Sequence, residues 1–369
     1  MLLNRVFQRP SLRAAMITPT LAPGGAERWA ATLIRFAQRV KWVRLYLSQE
    51  DSPDDLAQLI PRNVEIVRGW PTKSQQVRDV DILVGWGGDP FAPFNYDVDM
   101  DRPTVLVSHS DMLTMSTASS TYYAAVSRNA ANLFPAKDRA DTVIIHNGID
   151  LERVQPGRSR RDTRINWGLS TDHKILLYVG RFSEEKNPGF MLDMLEQLDP
   201  SWALVYYGWG PLRNELIRRA AEHFNHRVVF PQPSLGPLGN IYHACDALVI
   251  PSHHECFPLV LLEGLHAGIP VFVNQELPVV TECPELVPTD RQIDTTDAAV
   301  ATTQIMAWMD APHNTMDLSP YTATAMVDRW ETYLFACVHD WQSTLFNDIV
   351  TIPTLDTANA SRSTLPRQG

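Results

Sequence analysis

Short apolar runs of strand character alternate with helical patterns along most of this chain, and that alternation restricts its fold more than any other feature. Strands separated by helices return in the same direction, so the pattern predicts parallel sheets covered by helices on both faces, an α/β class. In the first half the strand candidates are residues 14–18, 43–47, 64–67, 82–84, 104–107, 124–127 and 142–145. In the second half they are 174–179, 203–207, 227–230, 247–250 and 271–273. Helical patterns begin near Glu27 and cover 188–198, 212–224, 297–309 and 323–341. Between the two sets, residues 156–164 are polar, basic and turn-rich, which predicts a linker.

A chain of 369 residues exceeds what one core usually serves, so two domains are expected, at 1–155 and 165–320. A helix over 321–345 is left to pack back on the first domain, and the Thr/Ser/Ala/Pro-rich tail 351–369 is predicted to be disordered. A formal charge of −10 argues against broad nucleic-acid binding. No run of about 18 apolar residues is present, so no transmembrane helix is expected. The start, residues 1–10, is too short in its apolar part for a secretory signal, and a cytoplasmic location is the expectation. Four cysteines without paired metal spacing suit reduced thiols.

The segment 246–273 carries the most chemistry. Its apolar strand ends at Pro251-Ser252, the loop His253-His254-Glu255 follows, and Pro258 occupies a typical first helical position. Glu255 then sits in the loop and Glu263 on the helix, while the first-turn N–H groups of Leu259 and Val260 can hold an anion. Gly268-Ile269-Pro270 stops the helix.

Gly180-Arg181 to Lys186-Asn187-Pro188 follows another strand, placing two cations on a loop at the carboxyl edge of a sheet, which suits a diphosphate. The plain alternative pairs Arg181 and Lys186 with Glu184 and Glu185. Gly24 and Gly25 follow the first strand without the spacing of a dinucleotide or Walker loop, and a tight turn explains them equally. His109 stands at the end of the 104–107 strand, where an imidazole can meet a substrate or serve structure alone. Gly208-Trp209-Gly210 ends a further strand, as a turn or as a nucleotide contact. A metal reading of His253, His254, Glu255, Glu263 and His266 lacks the helical bundle that such a site needs. Asp79 and Asp81, like Asp97, Asp99 and Asp101, read as solvated loop carboxylates.

Together these residues resemble the retaining glycosyltransferases of GT-B fold, the large family labelled group 1 or family four. The motifs that carry the resemblance are Gly24-Gly25-Ala26-Glu27-Arg28, His109, Ile145-His146-Asn147-Gly148-Ile149-Asp150, Gly180-Arg181 with Lys186-Asn187, Gly208-Trp209-Gly210-Pro211, and Glu255 followed eight positions later by Glu263. The resemblance implies two Rossmann-like domains facing across a cleft, with a nucleotide-diphosphate-sugar donor held mainly by the second and the acceptor mainly by the first. Arg181 and Lys186 would bind the diphosphate and stabilise its departure, with the Gly25 N–H helping. Glu255 would face the transferred sugar, His109 would approach the reacting centre, and Glu263 would accept from the ribose hydroxyls. Phe257, Pro258, Leu259 and Val260 would line the sugar and phosphate pocket; Gly24, Gly180, Gly208 and Gly210 would lie against the donor, and Pro231 near its base.

The implied reaction is transfer of the sugar to an acceptor hydroxyl with retention, needing no metal and no cofactor beyond the donor itself. The acceptor, whether glycan, lipid or protein, is not indicated. Departures are Pro258 where the family often has Gly, Gln232 after the nucleobase-side segment, and a likeness that fades past Val273. A non-hydrolysing sugar-nucleotide epimerase and a catalytically silent sugar-nucleotide-binding protein are the alternatives. Arg28, Trp29, Arg35, Arg39, Lys41 and Trp42 leave peripheral contact with the inner membrane face open beside an ordinary amphipathic helix.

Overall fold

The computed structural model describes residues 11–346 apart from 52, 72–76, 88–89, 91–101, 111–119, 225, 235 and 310–315. The expectations for the first ten residues, for Asp97, Asp99 and Asp101 and for the tail 351–369 lie outside the described residues. The chain divides into two compact units, Met1–His146 with Ala323–Gly369, and Asn147–Thr322.

The first unit is built on a seven-stranded sheet in the order β3-β2-β1-β4-β5-β6-β7. Its strands are β1 (Leu12–Thr18), β2 (Val40–Leu47), β3 (Glu65–Arg68), β4 (Ile82–Trp86), β5 (Thr104–Ser108), β6 (Tyr122–Ala125) and β7 (Val143–Ile144), all paired in parallel. Ala14, Ala15, Met16 and Ile17 of β1 are fully buried, the unbroken apolar run of a central strand covered on both faces. Helices α1 (Gly25–Phe36), α2 (Arg128–Ala131) and α3 (Ala136–Arg139) accompany it. Asp79 does not lie free in a loop: Arg44 grips it at 2.6 and 2.8 Å and Arg13 adds a third contact at 2.8 Å. These cations, Arg44 foremost, hold its carboxyl down at about 2.

The second unit is a six-stranded parallel sheet in the order β10-β9-β8-β11-β12-β13. Its strands are β8 (Lys174–Val179), β9 (Trp202–Tyr207), β10 (Val228–Val229), β11 (Ala247–Ile250), β12 (Val271–Asn274) and β13 (Gln292–Ile293). The helices are α4 (Arg160–Asn166), α5 (Phe190–Glu196), α6 (Arg213–His223), α7 (Gly239–Ala244), α8 (Leu259–His266), α9 (Pro278–Glu282) and α10 (Ala298–Trp308). From β8 the chain winds outward through β9 and β10, then returns to place β11 on the other side of β8. That reversal opens a crevice beyond the carboxyl ends of β8 and β11, where open α/β sheets take their ligands.

The basic segment 156–164 is not a linker. The Ser159 hydroxyl caps α4 by accepting from the Asp162 N–H. Arg164 reaches Asp246 at 2.7 Å, and Arg160 pairs with the same carboxylate. Ser159 with Asp162 is the local start signal of α4, whereas the acid that holds its arginines lies 82 residues beyond Arg164.

The last helix, α11 (Ala323–Phe346), belongs to the first unit. Its Trp330 meets Trp29 of α1 edge-on, with ring centres 5.1 Å apart. One residue on, the Glu331 carboxylate is 1% exposed and accepts from the backbone N–H groups of Gln38, Arg39 and Val40 at 2.7, 2.7 and 2.8 Å. A single side chain thereby satisfies the donors of the turn between α1 and β2, which burial would otherwise leave unpaired.

Candidate functional site

Because β8 and β11 are neighbours, the loops that leave their carboxyl ends run side by side in the second unit. The Lys186 ammonium donates to the His254 carbonyl at 2.7 Å and sits 2.8 Å from Glu255 Oε1. The Ser252 hydroxyl donates to the same carboxylate oxygen at 3.1 Å, and the His253 N–H donates to the Glu185 carbonyl at 2.9 Å. Asn187 turns the chain after Lys186 with a left-handed φ of 48°, a conformation asparagine tolerates. Lys186 therefore pairs across the two loops with Glu255, not with Glu184 or Glu185.

Glu185 instead accepts from the Ser183 hydroxyl at 2.6 Å. Burial opposes its charge, and that hydroxyl, the backbone and the Lys186 and Arg181 cations outweigh burial, so its carboxyl lies below the ordinary range. Arg181 is exposed, and its guanidinium makes no hydrogen bond or ion pair with any described residue. One paired and one unengaged cation thus stand at the reversal point of the sheet.

The first turn of α8 lies three residues beyond Glu255. Pro258 stands just before the first helical residue, one place earlier than expected, with φ −71° and ψ 120°. Leu259 and Val260 are half-buried, and their N–H groups meet no described acceptor, as expected of a helix start. Asn147 and Asn274 hold this loop by donating to the carbonyls of Phe257 and Ser252 at 3.0 and 2.9 Å. The Phe257 ring does not line an open pocket. It is buried against the Tyr321 ring, centres 6.0 Å apart and nearly parallel, so only its backbone faces the loop.

Glu263 points inward from α8 and is 2% exposed. Its Oε1 accepts from Arg153 Nε at 2.5 Å and its Oε2 from the Tyr242 hydroxyl at 2.6 Å. Burial lowers the basicity of Arg153, and the Glu263 charge more than restores it, holding the guanidinium above its normal value. Among the described residues no group of three or more His, Cys, Asp or Glu is placed to hold a metal ion.

Gly208 and Gly210 serve packing between loops. Their φ values are 156° and 154°, and a Cβ would fall 1.8 Å from the Gly180 carbonyl oxygen and 2.4 Å from that of Phe182. The Phe182 N–H donates to the Trp209 carbonyl at 2.7 Å between them. Gly208→Ala should therefore lower stability by at least about 2 kcal/mol in chemical denaturation, from clash and strained φ together. Pro231 follows Phe230, whose ring stacks on Tyr206 with centres 5.1 Å apart. Both Pro231 and Phe230 keep partial exposure.

The remaining expected site residues belong to the first unit. Gly24 caps α1 and leaves room for the Glu27 carboxylate to fold back, whereas a Cβ on Gly25 would meet nothing within 4 Å. His109 lies against Trp29 and Trp86, with ring centres 4.4 and 5.6 Å away. Its Nε2 is sealed without a partner among the described residues, and burial pushes the imidazole down to about 3, so it is neutral near pH 7.

Arg153, Tyr242 and Ser252 were not expected at the site. Ser252 stands in the sequence motif itself; Arg153 is 110 residues from Glu263, with no local pattern linking them.

Residues 159–321 match the family model of glycosyl transferases group 1, so the match continues well past Val273, where likeness was expected to fade. The chain is 35% identical over 140 residues to a D-inositol 3-phosphate glycosyltransferase of Mycolicibacterium smegmatis, covering 36% of this chain and 32% of that one. It is 28% identical over 260 residues to the protein of the same description from Actinosynnema mirum, covering 66% and 51%. The chain thus spans well under two thirds of either relative.

Among solved structures, Anabaena HepE in complex with UDP-glucose superposes with a TM-score of 0.66 at 15% identity, covering 91% of this chain and all of that one. The catalytic domain of starch synthase IV from Arabidopsis thaliana, bound to ADP and acarbose, gives 0.66 at 13% identity over 89% of this chain. At such identities the likeness speaks for the fold. Residues 159–321, nearly all of the second unit, match the glycosyl transferases group 1 family model, and the chain as a whole has the GT-B fold.

Proposed function

We propose that the chain transfers a sugar from a nucleotide-diphosphate-sugar to an acceptor hydroxyl, with retention of anomeric configuration and without a metal ion. The observation that carries the reading is the cationic loop pair at the β8/β11 reversal: Arg181 exposed and without a described partner, Lys186 beside Glu255, and the Leu259 and Val260 N–H groups close by in sequence. A donor diphosphate supplies the negative charge that these groups lack. As the anomeric C–O bond breaks, its electron pair goes to the diphosphate oxygen, and Arg181 and Lys186 stabilise that charge. The acceptor hydroxyl forms the new bond from the face the diphosphate leaves, and its proton goes to the departing phosphate.

Glu255 serves to orient Lys186 and the sugar, since its Oε1 already accepts from Lys186 and Ser252. No covalent glycosyl-carboxylate is required, which sets this chemistry apart from retaining glycoside hydrolysis. His109, being neutral, would not act as a cation. The relatives' printed names support a small polyol phosphate among the acceptors to try, and the UDP-glucose complex of HepE supports UDP-sugars among the donors. No described helix is long and apolar enough to cross a membrane.

The test is to incubate the purified protein with UDP-, GDP- and ADP-sugars and candidate acceptors in EDTA, then read nucleoside diphosphate release and product configuration by NMR. Release with an α-linked product from an α-linked donor is expected. An inverted product, or dependence on added metal, would overturn that part of the mechanism; interconverted sugar nucleotide without acceptor would identify an epimerase.

A further inference from the structure

We infer that Arg153 is a positioning residue of the donor site, acting through Glu263; this rests on the nucleotide-sugar reading above. Arg153 lies in the single 3-10 turn Leu151–Val154, and its side chain is 15% exposed. It joins three segments of the second unit. Its Nε holds Glu263 on α8 at 2.5 Å, its Nη1 reaches the Gly236 carbonyl at 3.3 Å, and its own carbonyl accepts from the Leu238 N–H at 2.6 Å. Leu238 immediately precedes α7, and α7 carries Tyr242, whose hydroxyl holds the other oxygen of Glu263.

A buried carboxylate fixed on both oxygens cannot rotate away, and its charge is matched by one cation. Each oxygen of an ionised carboxylate has two acceptor directions, so one on each remains for a ligand. A vicinal diol presents two donors, one for each remaining direction. Arg153 and Tyr242 thus preset the orientation in which Glu263 receives the ribose. The guanidinium has five N–H donors, and the two bonds above use two of them. Its Nη2 makes no bond to a described residue, so the fork keeps donor capacity to spare.

A role in positioning differs from a role in stability by what it changes. Removing Arg153 lets the Glu263 carboxylate turn, which weakens ground-state and transition-state binding of the nucleoside alike. The donor KM rises and kcat is nearly kept. Donor titrations and steady-state kinetics on the full chain, with R153M, R153K, E263Q and R153M/E263Q, test this. R153M should raise the donor KM at least about tenfold with kcat within about threefold, as expected for loss of a charge-assisted orienting bond.

R153K, which returns the charge but not the fork, should recover part of that loss. The double variant should bind donor no more weakly than E263Q alone, because both changes act on one interaction. A donor KM unchanged in both R153M and R153K would overturn the inference, as would losses in the double variant that multiply. Should R153M fail to fold, R153K decides alone: a raised KM supports the inference and an unchanged one overturns it. A wild-type protein that takes no nucleoside diphosphate or sugar derivative would instead overturn the proposed function, and this inference with it.

Discussion

Alanine at Arg181 or at Lys186 is expected to lower kcat by about two to three orders of magnitude, as loss of roughly 3 to 4 kcal/mol of charge stabilisation would. The two effects should differ in their company. Lys186 is held 2.8 Å from Glu255, so Lys186→Ala also leaves a partly buried carboxylate without its cation and should cost some stability. Arg181 is exposed and unpaired among the described residues, so Arg181→Ala should leave the melting temperature within about a degree, as surface changes usually do. Steady-state kinetics beside thermal unfolding check both statements. Turnover unchanged in both variants would remove the chemical basis of the transferase reading.

The second large effect concerns folding. Glu331→Ala removes the acceptor shared by three backbone N–H groups and the 3.1 Å partner of Arg39, at a site only 1% exposed. We expect a loss of at least about 3 kcal/mol, the scale measured when one partner of a buried charged network is removed. Glu331→Gln keeps an acceptor and should lose less. Asp328, which also meets Arg39 at 3.2 Å, has a side chain 76% exposed, and its replacement by alanine should cost under about 1 kcal/mol. Chemical denaturation followed by tryptophan fluorescence compares the three; equal losses would contradict the role assigned to burial.

The frame was legible in the sequence because central parallel strands are unbroken apolar runs, as Ala14–Ile17 and Leu176–Tyr178 show by their burial. β13 was missed because two residues, Gln292–Ile293, carry no periodicity. The helix α4 was missed although Ser159 with Asp162 marks its start; the partner of its arginines, Asp246, lies far along the chain. At the site, the motif residues were readable where a local pattern places them: a cation after a strand, a proline before a helix, paired glutamates eight apart. Orientation was not readable. Nothing in the sequence says that Phe257 turns inward to Tyr321, that Gly208 is needed by the Gly180 carbonyl, or that Glu263 is gripped by Arg153. These are long-range packing facts, fixed when separate segments meet, and residue type alone leaves them open.

The reversal of strand order between β8 and β11 links fold to chemistry, since it is what places the Arg181–Lys186 loop beside the Glu255 loop and the start of α8. The measurement that tests this account most directly is a crystal of the protein soaked with a nucleoside diphosphate. Diphosphate density against Arg181, Lys186 and the N–H groups of Leu259 and Val260 is the predicted result. A nucleotide bound elsewhere, with these four groups untouched, would contradict it.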